Sequence, residues 1–424
     1  MPLPSAVLTS AVSDPASGLD RSQARLLRAN DDVATALIDL CAGTLVRVSH
    51  GAVLREARLT ENIPAGHKFA VRALGAGLRI RKYGEFIGRT TRAVPAGAWV
   101  HVHNLVTTAR HEGAHERAWY ESAETARVAA VLGTVRCHVG ESPVFDAENN
   151  RLYWIDVRGT PAIHTLALDD GREQSWPLSE DIGSIVLAGP GRLLAGLRSG
   201  FAFFDCGTTT LRPMIDPEAA LPGNRMNDGK CDAEGRFWCG STNPETGTAD
   251  GSLYVLDAQL RCRRVLDDLF TPNGMTWSVD GRTMYLADTR RGFIHAFPYD
   301  VTHGELGERR LFADLGAIPG GPDGATIDCE DFLWSAQFEA GCLIRYAPDG
   351  TMDRVLRLPV SRPTSCAFGG PDYRQLFVTT ATRGLSEHDL RREPLAGRVL
   401  VLDVGVAGLP AASFSHDAPE RGPT

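Results

Sequence analysis

Hydrophobic and polar positions alternate along most of this chain with the period of two that is typical of β-strands. Between residues 30 and 106 the apolar runs are short and separated by glycines, as in "TLVRVS", "LRIRKYG" and "AWVHVHN". One stretch there, "DDVATALIDL", predicts instead a single helix capped by Asn30 or Asp31. We therefore expect a small β-rich domain over residues 30–106.

After residue 131 an apolar and aromatic segment recurs six times, and a second strand-like run follows each copy. The copies begin at Leu152, Leu193, Phe237, Met284, Leu333 and Leu376. Their starts are 41 to 49 residues apart, and the absence of helical periodicity disfavours a helical solenoid. The repeat predicts an all-β main domain, a six-bladed β-propeller with four strands per blade, over residues 132–412.

The segments outside these two domains are polar. Residues 1–29 and 413–424 predict disordered tails. Residues 107–131 are rich in Ala and Glu and predict a helical linker. Within them "HEGAH", residues 111–115, fits the H-E-x-x-H pattern of zinc proteases. A zinc site is disfavoured there because Gly113 weakens a helix and no third ligand is evident.

Composition excludes several classes of partner. The net charge is −8 and no basic patch is interleaved with aromatic residues, which argues against nucleic acid. The acidic excess would weakly repel anions, so a sugar-acid site would need local cations or a metal. The nine cysteines form no Cys-x-x-Cys pair, which favours reduced thiols and a cytoplasmic protein. No signal peptide and no membrane-spanning apolar run is evident.

Polar residues recur about ten positions before each copy of the repeated segment. They are Glu141, Ser184, Asn227, Asn273, Asp323 and Ser365. Equivalent positions of propeller blades converge at one end of the central channel. Two carboxylates and two amides there would suit Ca²⁺, Mg²⁺ or Mn²⁺ and tolerate Zn²⁺ or Fe²⁺. The alternative interpretation is that each is a turn residue beside Gly or Pro; the two serines are expected to line the channel wall.

Five of these stretches resemble one known family over roughly the last two-thirds of the chain. They are "GESPVFDAENNRLYWIDVRG", "RMNDGKCDAEGRFWCGS", "TPNGMTWSVDGRTMYLADT", "PDGATIDCEDFLWSA" and "RPTSCAFGGPDYRQLFVTTA". They look like the SMP-30/gluconolactonase/regucalcin family. The resemblance implies a six-bladed propeller that binds one divalent metal ion (Ca²⁺, Zn²⁺, Mn²⁺, Mg²⁺ or Fe²⁺) and opens sugar lactones. It assigns the metal ligands to Glu141, Asn273 and Asp323, and substrate binding to Arg225, Asn227 and Glu245.

The N-terminal domain resembles a second family, the SAF-type domain of altronate and galactarate dehydratases. The resemblance rests on "IPAGHK", "KYGEFIG" and "WVHVHN". In that family the domain accompanies a large catalytic domain, and here a propeller stands in its place. His101 and His103 share one face of a strand and His67 could join them. They could contact a sugar acid or a metal together with a separate dehydratase core chain, or they could be ordinary strand histidines.

The sequence thus leads to one main hypothesis and several rivals. The main hypothesis is metal-dependent hydrolysis of an aldonolactone to the aldonic acid in sugar-acid catabolism, with Asp323 as general base and the N-terminal domain docking to or completing an aldonate dehydratase. The rivals are an accessory subunit of an altronate-type dehydratase and a non-catalytic metal-binding propeller. A scaffold of the WD-repeat type is disfavoured because the repeats lack Gly-His and Trp-Asp dipeptides.

Overall fold

The computed structural model describes residues 23–50, 53–82, 85–101, 103–106, 123–246, 248–315, 318 and 320–416. Almost all regular structure in these residues is β-strand. The exceptions are a short α-helix, α1 (Glu387–Arg392), and a 3₁₀ turn at Pro371–Tyr373. No helix in the described part of the chain is long and apolar enough to cross a membrane.

The N-terminal part consists of nine short strands. They are β1 (Ala24–Arg25), β2 (Val33–Ala36), β3 (Leu45–His50), β4 (Val53–Arg58), β5 (Lys68–Ala70), β6 (Arg79–Lys82), β7 (Glu85–Thr90), β8 (Trp99–Val100) and β9 (Leu105–Val106). They pair antiparallel in three sheets, with the orders β1-β2-β5-β8, β3-β4 and β6-β7-β9. The β-rich character predicted for this part of the chain is confirmed.

Two predictions for this part of the chain are wrong. The helix expected over "DDVATALIDL" is the strand β2, because Val33, Ala34 and Ala36 are all buried and the segment pairs with β5. Burial on both sides and cross-strand pairing override a weak helical preference. The predicted disordered tail also ends earlier than residue 29, since Ala24 pairs with Ala36 and is buried.

The residues before the main repeats form strands rather than the predicted helical linker, where the structure describes them. They are β10 (Glu124–Thr125) and β11 (Val128–Leu132). Both complete the edge of a sheet from later in the chain, whose backbone groups would otherwise lack partners. Residues 107–122, including the H-E-x-x-H match at 111–115, lie outside the described residues.

The main part of the chain, residues 123–416, contains six sheets. Sheet 1 is β12 (Gly140–Asp146), β13 (Arg151–Asp156), β14 (Ala162–Ala167) and β15 (Glu173–Pro177). Sheet 2 is β16 (Ile182–Leu187), β17 (Arg192–Leu197), β18 (Gly200–Asp205) and β19 (Thr210–Ile215). Sheet 3 is β20 (Arg225–Cys231), β21 (Phe237–Thr242), β22 (Gly251–Leu256) and β23 (Cys262–Leu269).

The other three sheets repeat this plan with additions at their edges. Sheet 4 is β24 (Pro272–Trp277), β25 (Thr283–Asp288), β26 (Phe293–Asp300), β27 (Glu305–Leu306) and β28 (Arg310–Asp314). Sheet 5 is β29 (Gly321–Ile327), β30 (Leu333–Phe338), β31 (Cys342–Tyr346) and β32 (Met352–Arg357), with β10 added in parallel. Sheet 6 is β33 (Pro363–Gly369), β34 (Gln375–Thr380) and β35 (Val399–Asp403), with β11 as its outer strand.

Neighbouring sheets share buried apolar layers. Sheets 5 and 6 pack through Trp334 and Leu376, and sheets 6 and 1 pack through Phe377 and Trp154. The first strand of each sheet contacts the first strand of the next, and β33 contacts β12. The starts of the six first strands, where the repeated polar residues lie, are therefore brought together.

The last described residues of the chain pack against the main part of the protein. Residues 413–416, predicted as part of a disordered tail, are held in place because Phe414 is buried and its amide donates to Leu187 O at 2.7 Å. All nine cysteines are free thiols.

Candidate active site

Each first strand is irregular at its repeated polar residue. In β12, β20, β24 and β29 the pairing register shifts directly after Glu141, Met226, Asn273 and Pro322, respectively. A bulge of this kind turns a side chain away from the regular alternation of the sheet. The polar residues are thereby aimed toward the other first strands rather than into the layers between sheets.

Asn273 and Asp323 are each followed by a glycine, and any larger residue there would clash with its neighbours. Gly274 has φ +57°, and a Cβ there would meet Asp323 O at 2.6 Å. A Cβ on Gly324 would lie 2.0 Å from Ser365 Oγ. The turn interpretation of these sequences is wrong, because both stretches lie inside strands, β24 and β29, and a bulge in each strand presents the neighbouring polar group.

Hydrogen bonds join three of the predicted site residues in a row. Asn227 Nδ2 donates to Asn273 Oδ1 at 2.7 Å, and Asn273 Nδ2 donates to Asp323 Oδ1 at 2.7 Å. Asn273 Nδ2 also donates to Thr289 Oγ1 at 2.7 Å. Asn227, Asn273 and Asp323 are 8%, 6% and 8% exposed. Polar groups buried this deeply are fixed in position by such bonds.

Three carboxylates, those of Glu141, Asp228 and Asp323, lie within electrostatic range of one another at the candidate site. Burial, and then the charge of Asp228, raise the pKa of Asp323 well above its usual range. Burial, followed by the charges of Asp323 and Asp228, does the same to the pKa of Glu141. Like charges gathered away from water favour a cation or a proton between them.

Asp228 was not among the residues predicted from the sequence. Burial raises its pKa, and Lys230 opposes that shift. Its carboxylate accepts the amide hydrogen of Gly229 at 2.9 Å. The signal that could have found it is its position, since it lies inside the same bulge as Asn227.

The donor set fits an oxygen-preferring divalent cation. Glu141 and Asp323 would supply carboxylate oxygens and Asn273 would supply its amide oxygen. Among the described residues no three His, Cys, Asp or Glu side chains are grouped closely enough to hold a metal by themselves.

The predicted substrate-binding residues differ in their surroundings. Arg225 is buried, donates from Nη1 to Met226 O at 2.8 Å, and has no hydrogen-bond partner for Nε. Burial and then the charge of Arg158 lower the pKa of Arg225 to about 10. Glu245 is exposed in the loop between β21 and β22. Ser184 and Ser365 are buried, as expected of wall residues.

The three histidines of the N-terminal domain do come together. The rings of His67 and His101 both contact Trp99, with centroids 5.1 and 5.3 Å from the indole, and His103 lies 5.8 Å from it. His103 is exposed and the other two are partly exposed. The cluster offers rings to a ligand or partner; that role remains a prediction.

The fold and the site define an all-β protein of repeated sheets with a buried, oxygen-rich site where the first strands meet. Residues 139–382 match the sequence profile of the SMP-30/gluconolactonase/LRE-like region. The chain belongs to that family. Residues 24–108 match the altronate/galactarate dehydratase SAF domain.

Individual relatives agree with this assignment. Regucalcin of Gallus gallus is 33% identical over 291 residues, which cover 67% of this chain and 97% of that protein. The 6-deoxy-6-sulfogluconolactonase of Pseudomonas putida is 32% identical over 289 residues, covering 66% and 99%. The crystal structure of regucalcin from Agrobacterium tumefaciens, described as a calcium-binding protein, superposes with a TM-score of 0.66 at 28% identity and covers 69% of this chain and 99% of that one.

Proposed function

We propose that this protein is a metal-dependent lactonase that hydrolyses a sugar lactone to the corresponding sugar acid. The observation that carries the proposal is the buried row Asn227–Asn273–Asp323 beside the carboxylates of Glu141 and Asp228. It combines cation ligands, a proton acceptor and hydrogen-bond donors in one place. Relatives named as lactonases and a calcium-binding regucalcin support the same assignment.

We propose further that the six sheets close into a six-bladed propeller. The contact of β33 with β12 and the apolar layer shared by sheets 6 and 1 support closure. The pairing of β11 with β35 would fasten the last blade with a strand from before the first. Apart from the corrections above, we keep the domain limits of the sequence analysis as part of this proposal.

Lactone hydrolysis needs an activated water, a proton acceptor and a stabilised oxyanion. A divalent cation held by Glu141, Asn273 and Asp323 would supply Lewis acidity toward the lactone carbonyl. Asp323 is the general base, because its carboxylate lies among the ligands and is buried. Arg225 provides positive charge for the developing oxyanion, and Asn227 holds a sugar hydroxyl next to it.

The N-terminal domain is proposed to dock this lactonase onto an aldonate dehydratase core chain, which would consume the acid that is formed. The surface cluster of His67, Trp99, His101 and His103 is the contact we assign to it. Pull-down from the native host with the wild-type chain and with His101→Ala and His103→Ala variants tests this. Recovery of the same proteins by all three would contradict the assignment.

Lactone hydrolysis by chelator-stripped protein tests the main proposal. Five- and six-carbon aldonolactones are offered with Ca²⁺, Mg²⁺, Mn²⁺, Zn²⁺ or Fe²⁺ added back, acid release is followed with a pH indicator, and the spontaneous rate is subtracted. Metal-dependent turnover is the expected result. Background rates throughout, together with a metal-dependent rise in melting temperature, would favour a non-catalytic metal-binding protein.

A further inference from the structure

Arginines recur at the end of the sheets where the candidate site lies. Arg158, Arg198, Arg290 and Arg383 follow the second strands of sheets 1, 2, 4 and 6 by one to three residues. In an antiparallel pair the second strand ends where the first begins, and Asp288 indeed pairs with Pro272, the residue before Asn273. We call these four residues the rim arginines.

The rim arginines outnumber the acids that pair with them. Arg158 and Arg198 share the single carboxylate of Asp181, at 3.1 and 2.8 Å. Among the described residues Arg290 and Arg383 have no carboxylate within 4.0 Å. The guanidinium of Arg290 donates to a backbone carbonyl, Pro244 O, at 3.4 Å.

The surplus of positive charge is concentrated rather than dispersed. Arg383 lies within electrostatic range of two arginines, Arg158 and Arg362, and of two carboxylates, Glu339 and Glu245. Arg225, in the site itself, is within range of three arginines, Arg158, Arg198 and Arg383, against one carboxylate, Asp181. Like charges held close together raise the free energy of the protein unless an anion joins them.

The backbone connects two of these arginines to the site. Arg290 follows Thr289, whose hydroxyl accepts from Asn273 Nδ2 and donates to Pro322 O at 2.6 Å, next to Asp323. The amide of Arg383 donates to His138 O at 2.9 Å, three residues before Glu141. The main chains of Arg290 and Arg383 therefore run beside metal-ligand candidates.

The N-terminal domain covers the same end of the sheets. Arg79 Nη1 and Nη2 donate to Gly320 O and Ile318 O at 2.5 and 2.9 Å, just before β29. Phe270, just before β24, lies in the apolar core of the N-terminal domain. The ion pair of Arg72 with Asp32 is thereby brought into electrostatic range of Arg290.

We propose that the substrate is a sugar lactone with a second, anionic group, and that Arg290 and Arg383 bind this group while the lactone carbonyl lies at Asp323. This inference rests on the lactonase function proposed above. Water adds across the carbonyl–oxygen ester bond, the ring opens to a carboxylate and a hydroxyl, one proton is released, and the product carries two acid groups. The class that fits is the monolactone of a sugar diacid, or a lactone with a terminal sulfonate.

Paired substrates test the proposal on the full chain with metal present. The monolactone of a six-carbon aldaric acid, a lactone with a terminal sulfonate and the lactone of the matching neutral aldonic acid are compared by kcat/KM. We expect at least about a 10-fold preference for one or both charged lactones, since a charged hydrogen bond contributes about 1.5–3 kcal/mol. Preference for the carboxylate or for the sulfonate identifies the source of the anion.

Variants connect that preference to the two arginines. Arg383→Gln and Arg290→Gln should each lower the charged-to-neutral ratio of kcat/KM by about 10- to 100-fold. Arg212→Gln, a change at an exposed position on β19, is the control and should leave the ratio unchanged. Raising salt from about 0.02 to about 0.5 M should lower wild-type kcat/KM for the charged lactone more than for the neutral one. This measurement uses only the wild-type protein, so it does not depend on the folding of a variant.

The outcomes separate the two proposals. Turnover of neutral lactones with no preference for charged ones, or a ratio that both arginine variants leave unchanged, would overturn the inference and leave the lactonase function standing. Background rates on every lactone would overturn the function and the inference with it.

Discussion

Replacing Asp323 with Asn removes a charge and a proton acceptor while keeping the shape of the side chain. The hydrogen bond from Asn273 Nδ2 to Oδ1, 2.7 Å long, can be kept because the amide oxygen still accepts. Loss of general-base catalysis typically costs about 10²- to 10⁴-fold in rate, or about 3–5 kcal/mol of transition-state stabilisation. We expect a loss of that size in kcat at saturating metal.

The Asp323→Asn substitution should lower activity without lowering the stability of the metal-free protein. Asp323 is buried near Asp228, so removing its charge relieves repulsion and desolvation in the metal-free protein. The metal-free Asp323→Asn protein should therefore melt at the same temperature as wild type or higher. Calorimetry with a chelator present measures this, and hydrolysis of the best lactone at several metal concentrations measures kcat.

Asp328, just beyond the same strand β29, is the matched control. Its carboxylate accepts from Trp334 Nε1 and Arg345 Nε, both at 2.8 Å, and it is fully buried. Asp328→Asn should cost about 3 kcal/mol of stability because it leaves Arg345 with a weaker buried partner. Near-wild-type kcat in Asp323→Asn at saturating metal would refute the assignment of the general base, and a strong loss of stability there would refute the electrostatic argument.

Three further predictions concern pH and packing. The pKa values of Glu141 and Asp323 are raised on folding, so metal-free wild type should lose stability relative to Asp323→Asn as pH rises from about 4 toward neutrality, and added metal should remove the difference. Burial lowers the pKa of His295 to about 4. The neutral ring therefore contributes its full stability above the ordinary pKa of 6.5, and this contribution is lost as pH falls from 6.5 to about 4. His295→Gln should lessen the acid destabilisation, measured by urea titration, by about 1–3 kcal/mol. Gly324→Ala should cost about 1–3 kcal/mol and lower kcat, because the new Cβ meets Ser365; an unchanged melting temperature would contradict this.

The repeated sheets could be predicted from the sequence because each copy contains strands that its own alternation specifies. Leu152 and Leu376 begin equivalent runs; Leu152 lies in the second strand of sheet 1, Leu376 lies in the second strand of sheet 6, and both are buried. The predicted row Asn227–Asn273–Asp323 could be found for the same reason, since equal phase in a repeat means equal position in the fold. Asp228 could not, because its role depends on the bulge, and a bulge is a tertiary feature of backbone register.

The errors in the sequence analysis have a common physical cause. The segments at residues 33–36 and 128–132 are short and have weak helical preference, and distant partners decide their conformation. Val33–Ala36 is captured by β5, and Val128–Leu132 by the open edge of β35 near the end of the chain. A strand that pairs across more than 260 residues leaves no local signal of its partner.

Net charge by itself argues against the anionic substrate proposed above. A chain with a formal charge of −8 would be expected to repel an acidic sugar. Yet the rim arginines follow four different second strands, at offsets that differ by a residue or two, and so they form no visible run in the sequence. Folding alone gathers them at one end of the sheets, next to the carboxylates of the site. Potentials in a cleft depend on the nearest charges and on the low-dielectric walls, so an acidic protein can still present a cluster of arginines beside a group of carboxylates. In the proposed complex, the arginines would bind the anion at one end of the substrate while its carbonyl lies at Asp323.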